Sequence, residues 1–205
     1  MNTSIICLQP SAMTLLGVLV FVALAVLIGI TMSKVMQRKG FRSNKAVVLT
    51  IAAVFSSVLV LRYGVSFTAF QGLFLMFVLL YASCSDLTTH EADDSLWIIV
   101  LALSLFSSYT VGLKSMLIGA FCVIIPQLAM AMLPPHRTLG GADIKLSSSL
   151  AFLLGAWRGI GAYLIGLILA VVYMAIYNKV KNRDGKEAFA LIPFLSASAL
   201  AMFII

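Results

Sequence analysis

The sequence predicts an all-α, polytopic membrane protein: a bundle of about eight transmembrane helices in one domain covering residues 1–205, with both termini extracytoplasmic. Three observations predict it. The chain is 62% hydrophobic and only 10% charged, where a soluble domain holds about 25% charged residues, and its mean hydropathy is +1.10. Apolar runs close to the ~20 residues that a span needs fill nearly the whole chain, which leaves no room for a separate soluble domain. Eleven of the fourteen Lys and Arg residues gather in alternate loops, as they do when basic loops stay inside. The net charge of +7 therefore reads as topology and not as an affinity for nucleic acid.

The elements follow in order. Met1 to Pro10 carries no Lys or Arg, and the apolar run behind it reaches about Met32. That run is too long for a signal-peptide core, so it reads as a retained first span, 12–33. Further spans are expected at 46–62, 66–85, 95–111, 114–133, 144–157, 159–178 and 188–205. The sixth is short and holds Ser147, Ser148 and Ser149, so it is expected to tilt or to be sheltered by its neighbours. No internal repeat is evident. Gly155, Gly159, Gly161 and Gly166 are spaced for close helix packing, with Trp157 and Arg158 reading as a loop between two spans.

The loops fix the sidedness. Lys34, Arg38, Lys39, Arg42 and Lys45 cluster after the first span; Lys179, Lys181, Arg183 and Lys186 precede the last; Arg137 and Lys145 flank the loop before the sixth. With eight spans these loops share the inner side, and only Arg62, Lys114 and Arg158 fall outside. The loop 34–45 is placed to meet anionic lipid headgroups. All seven acids also lie inside: Asp86, Glu91, Asp93, Asp94, Asp143, Asp184 and Glu187. Asp184 and Glu187 sit among lysines and read as solvated, and so does Glu91.

Asp86 and Asp143 are the candidates for chemistry. Asp86 ends an apolar run in Tyr81-Ala82-Ser83-Cys84-Ser85-Asp86, and Asp143 follows the small residues Gly140, Gly141 and Ala142. Two crossings separate them, and an even number of crossings returns the chain to the same face. Two carboxylates held close cannot both ionise cheaply, so one keeps its proton. The protonated member polarises a peptide carbonyl while the ionised one takes a proton from attacking water. Gly140 and Gly141 let a second chain approach closely. Each Asp also has an ordinary reading, Asp86 as a polar helix end meeting water and Asp143 as an N-cap signal before an apolar run. On residue pattern alone, a generic transporter or other membrane protein is favoured over a protease.

Other groups argue against a metal or cofactor. Cys7, Cys84 and Cys122 are far apart and read as small apolar fillers. His90 and His136 lie near the acids, but no spacing such as H-E-x-x-H joins them, so neither metal nor cofactor is expected. Ten Met and thirteen Phe read as lipid-facing or core material.

Three stretches together resemble the prepilin peptidases, the type IV leader peptidase branch of the GxGD membrane aspartic proteases. These are Asp86 at a span end before a polar loop and Ser95-Leu96-Trp97-Ile98-Ile99; Gly140-Gly141-Ala142-Asp143-Ile144-Lys145-Leu146; and Leu191-Ile192-Pro193-Phe194-Leu195-Ser196-Ala197. Ala142 stands where the G-x-G-D pattern has its second Gly. Asp93 stands where the family usually has Pro, and Asp94 matches the position after it. The resemblance implies Asp86 and Asp143 as the catalytic pair, with Gly140, Gly141, Ala142, Lys145 and Asp94 beside the substrate. It implies a pilin-like precursor as partner, cut at the junction of a short basic leader and an apolar helix. Longer members insert a cysteine-rich, methylating region after the first span; the short loop here implies a peptidase alone. The implied location is a bacterial or archaeal cytoplasmic membrane, with the site on the cytoplasmic side. The rivals are a small transporter and an inactive pilus or secretion assembly protein. A transporter would put acids at the bilayer midplane, and these spans hold none away from their ends.

Overall fold

A chain this apolar, placed where water is absent, must satisfy its backbone internally, and helices do so within each segment. The computed structural model describes residues 12–41, 44–89, 93, 95–132, 140–181 and 190–205, and these contain helices and no strand. In chain order the helices are α1 (Ala12–Arg38), α2 (Lys45–Tyr63), α3 (Phe67–Thr89), α4 (Leu96–Leu105), α5 (Ser108–Val111), α6 (Leu113–Met132), α7 (Gly141–Leu154), α8 (Ala156–Lys181) and α9 (Ile192–Ile204). Five are long and apolar enough to cross a membrane: Leu15–Arg38, Lys45–Tyr63, Phe67–Thr89, Leu113–Met132 and Ala156–Val180. The protein is thus a multi-pass membrane protein. The shorter apolar helices α4 and α9 cover two more of the expected spans.

Local chemistry sets the ends. Asn44 caps α2 by accepting from the Ala46 N–H at 3.1 Å. Gly64 ends α2 at φ 65°, with its N–H donating to the Val60 carbonyl at 2.8 Å. The expected span at 95–111 divides into α4 and α5, because Phe106 and Ser107 close tighter turns onto Leu103 and Ser104. Buried Gln71 of α3 ties this break down, donating to the Leu103 carbonyl at 2.8 Å and to Ser107 Oγ at 2.7 Å. Trp157 and Arg158 do not form a loop: they lie in the first turn of α8, and the break falls two residues before Trp157, at Gly155 with φ 81°.

Two helices are central. α3 packs against α1, α2, α4 and α9, and α7 packs against α4, α6, α8 and α9. α4 and α9 therefore bridge the two helices that carry Asp86 and Asp143. The core runs through Leu73, Leu75, Met76 and Leu79 of α3 to Leu146, Leu150 and Leu153 of α7, while α1 turns Leu16, Leu19 and Val20 outward. The serines of α7 are sheltered as expected. Ser147 and Ser149 are buried, and all three serines donate back to carbonyls of their own helix.

Small residues bring α6, α7 and α8 together. A Cβ at Gly159 would lie 2.6 Å from Ala151 Cα, and one at Gly119 would lie 2.8 Å from the Ala151 carbonyl oxygen. Both obstacles are backbone, which cannot swing aside. Gly159→Ala is therefore expected to destabilise the bundle by about 1–3 kcal/mol, read as a lowered thermal unfolding midpoint in detergent. Gly161→Ala, which would meet only the tip of Met202, is expected to cost much less.

Candidate active site

Asp86 is 5% exposed, one turn from the C-terminal end of α3. An acid there needs a donor. The backbone N–H of Ile192 supplies one, donating to Asp86 Oδ2 at 2.9 Å. Ile192 opens α9, and Pro193 follows it in the first turn. Proline has no N–H to offer, so the carboxylate takes an amide that the helix leaves unpaired. Ser83 Oγ donates to Ser196 Oγ at 3.1 Å, a second tie between α3 and α9.

Asp143 lies in the first turn of α7 and is half-buried. The N-cap is Gly140, three residues before it. Asp143 is thus not the cap; it is the third helical residue, and its carboxylate accepts the N–H of Gly140, as the acid of a capping box does. The turn is held from beneath. Ser147 donates to the Asp143 carbonyl at 2.7 Å, and buried Gln127 of α6 donates to Ser147 Oγ at 2.8 Å.

The structure brings the two acids into electrostatic reach. Burial pushes the Asp143 carboxyl up from 3.8 to about 6; the charge of Asp86 pushes the same way, and the Gly140 N–H opposes both. Asp143 stands at the rim, ahead of the apolar part of α7. Two helix N-termini, those of α7 and α9, therefore face one pair of carboxylates. Both positive helix ends favour negative charge there.

The remaining site candidates divide. Gly140 and Gly141 precede Ala142-Asp143, and a Cβ on Gly141 would meet nothing within 4 Å among the described residues. Ala142 is the second residue of α7. Lys145 is exposed on the next turn. Asp94, His90, Glu91 and His136 lie outside the described residues, and so does the metal question attached to the histidines. Sequence reasoning assigned no role to the Ile192 amide. The signal for it was present: an Asp at an apolar span end needs a donor, and Ile192-Pro193 marks a helix start.

Gly140 shows how tightly the carboxylate is seated. A Cβ there would lie 2.9 Å from Asp143 Oδ2 and would displace it. If Asp143 acts on a substrate, Gly140→Ala is expected to lower kcat by about tenfold to a hundredfold, the scale of a misplaced reacting group, while thermal unfolding stays within a few degrees of wild type.

One comparison with known proteins gives a match. The family model described as the type IV leader peptidase family matches residues 73–177, a stretch that contains Asp86 and Asp143 and stops before α9. No curated protein and no solved structure matches.

Proposed function

Because the chain belongs to the type IV leader peptidase family, we propose that it is a membrane aspartic endopeptidase. It removes the short basic leader of a pilin-like precursor at the cytoplasmic face of the membrane. Asp86 and Asp143 share the work, one polarising the scissile carbonyl and the other activating water, and the proton then passes to the leaving amine. Neither metal nor covalent intermediate enters this route.

One observation carries the proposal. Asp143 lies within electrostatic reach of Asp86 at the cost of a raised pKa, although each acid also accepts a backbone N–H at a helix start. The amide oxygen of Asn would accept either N–H as well without repulsion. Retaining two acids makes sense where one must hold a proton and the other must not. The location supports the chemistry: Asp86 lies near the end of α3 and Asp143 in the first turn of α7, and among the described residues nothing lies within 4 Å of a Cβ on Gly141, where an extended segment would lie. A bond just outside the membrane is already non-helical, so no substrate helix has to unwind.

Co-expression with precursors from the same genome tests this. Mass spectrometry should show the precursor shortened by its leader, with a new N-terminus at the junction with the apolar helix, only when this protein is present. Intact precursors beside well-folded protein, with several candidates tried, would favour the assembly or transport readings.

A further inference from the structure

The end of α1 is fastened over α3. The N–H of Gly40 donates to the Gln37 carbonyl at 3.1 Å and that of Phe41 to the Met36 carbonyl at 2.9 Å, a Schellman turn. It requires the φ of 79° that Gly40 adopts. The turn sets Phe41 edge-to-face on Tyr81, ring centroids 5.5 Å apart, and places Lys39 beside the same tyrosine. Lys39 Nζ donates to the Tyr81 hydroxyl at 2.7 Å, which donates to Asp93 Oδ2 at 3.1 Å. Lys39 Nζ itself stays 3.7 Å from Asp93 Oδ2. Tyr81 is buried, whereas the side chains of Lys39 and Asp93 are 54% and 50% exposed. Tyr81 precedes Asp86 on α3 by five residues, about 7.5 Å along the axis. The Asp93 carbonyl accepts from the Leu96 N–H at 3.1 Å, so the same residue fixes the start of α4.

We infer that Asp93 is a specificity-determining cation subsite at the same end of the bundle as the two acids, occupied at rest by Lys39, which a Lys or Arg of the substrate's inner flank displaces. The inference rests on the proposed peptidase reading. A single-span substrate cut at its inner boundary carries basic residues at that level, because such residues hold the boundary inside. Asp86 is buried and bound to the Ile192 amide, and Asp143 is held by Gly140. Asp93 keeps half of its side chain open to solvent. An exposed ion pair contributes little net stability, so exchanging one cation for another is cheap. Buried Tyr81 keeps the carboxylate aimed while the cation changes. Lys39 thus acts as an internal stand-in for substrate charge.

The test measures binding apart from cleavage. The protein is placed in phosphatidylcholine nanodiscs, whose neutral headgroups do not attract basic peptides. Fluorescent peptides spanning a basic leader and the first residues of its helix are titrated in low salt, alongside versions with Gln at each basic position. Asp93→Asn is expected to weaken the basic peptide about threefold to fivefold, the reach of one exposed ion pair, and to leave the neutral peptide unchanged. Lys39→Gln should tighten the basic peptide by a similar factor. Equal effects of Asp93→Asn on both peptides, no effect on either, or weaker basic-peptide binding by Lys39→Gln would each overturn the subsite. Charge discrimination without cleavage of any precursor would sink the peptidase reading alone; cleavage without discrimination would sink the subsite alone.

Discussion

Asp86→Asn and Asp143→Asn are each expected to abolish leader removal, lowering kcat/KM by roughly 10³-fold or more, the scale of a lost acid–base group. Asn is the informative replacement because both acids also serve the fold. Asp86 accepts the Ile192 N–H and Asp143 the Gly140 N–H. The amide oxygen of Asn can still accept those bonds, so α7 and α9 keep their first turns. Ala would remove the acceptor as well and cost about 1 kcal/mol at each helix start, mixing stability with chemistry. The readout is precursor processing by mass spectrometry, together with a thermal unfolding profile for each variant. Processing that survives both Asn substitutions would sink the two-carboxylate mechanism. Loss of processing in folded protein would exclude the inactive-assembly reading, since a scaffold needs only the two hydrogen bonds to backbone N–H groups.

Much of this was legible because bilayer constraints write themselves into composition. The apolar runs located α1, α2, α3, α6 and α8 to within a few residues, since a span must be long and uncharged whatever its neighbours do. Counting crossings allowed Asp86 and Asp143 to share one face without showing that they meet. What stayed hidden depends on contacts distant in sequence. Nothing local to Asp86 names the Ile192 amide, 106 residues away, as its donor. Nothing around Tyr81 announces that Lys39 and Asp93 meet there. The helix break at Phe106-Ser107 escaped notice because 95–111 holds no charge, Gly or Pro, and Gln71, which secures the break, lies in another helix. Trp157-Arg158 read as a loop because a polar pair interrupts an apolar run, yet the chain turns at Gly155, where a positive φ is available.

The raised Asp143 carboxyl gives the second large effect, a pH limb. A pair that needs one proton works only while one carboxyl is protonated and the other ionised. Asp143 titrates at about 6, first because it is buried and second because Asp86 is near. As pH rises through that value the second proton leaves, and kcat/KM is expected to fall about tenfold per unit beyond it; the limb belongs to the pair, not to one residue. The same shift fixes the sign of a stability effect. Folding favours the protonated acid, so this contribution is fully present below 3.8 and is lost as pH rises through about 6. Asp143→Asn should therefore be more stable than wild type at pH 7–8, by about 1–2 kcal/mol after allowing for the half-exposed side chain, and lose that advantage near pH 4. Substrate should move the kinetic limb further. Burial is the largest cause of the shift, and a peptide lying over Gly141 would exclude solvent from the exposed half of Asp143. The limb in kcat, which reports the bound complex, is thus expected at higher pH than the limb in kcat/KM, which reports the free enzyme. A kcat/KM profile flat from pH 5 to 8, or one that rises through 6, would show that no proton on Asp143 is used.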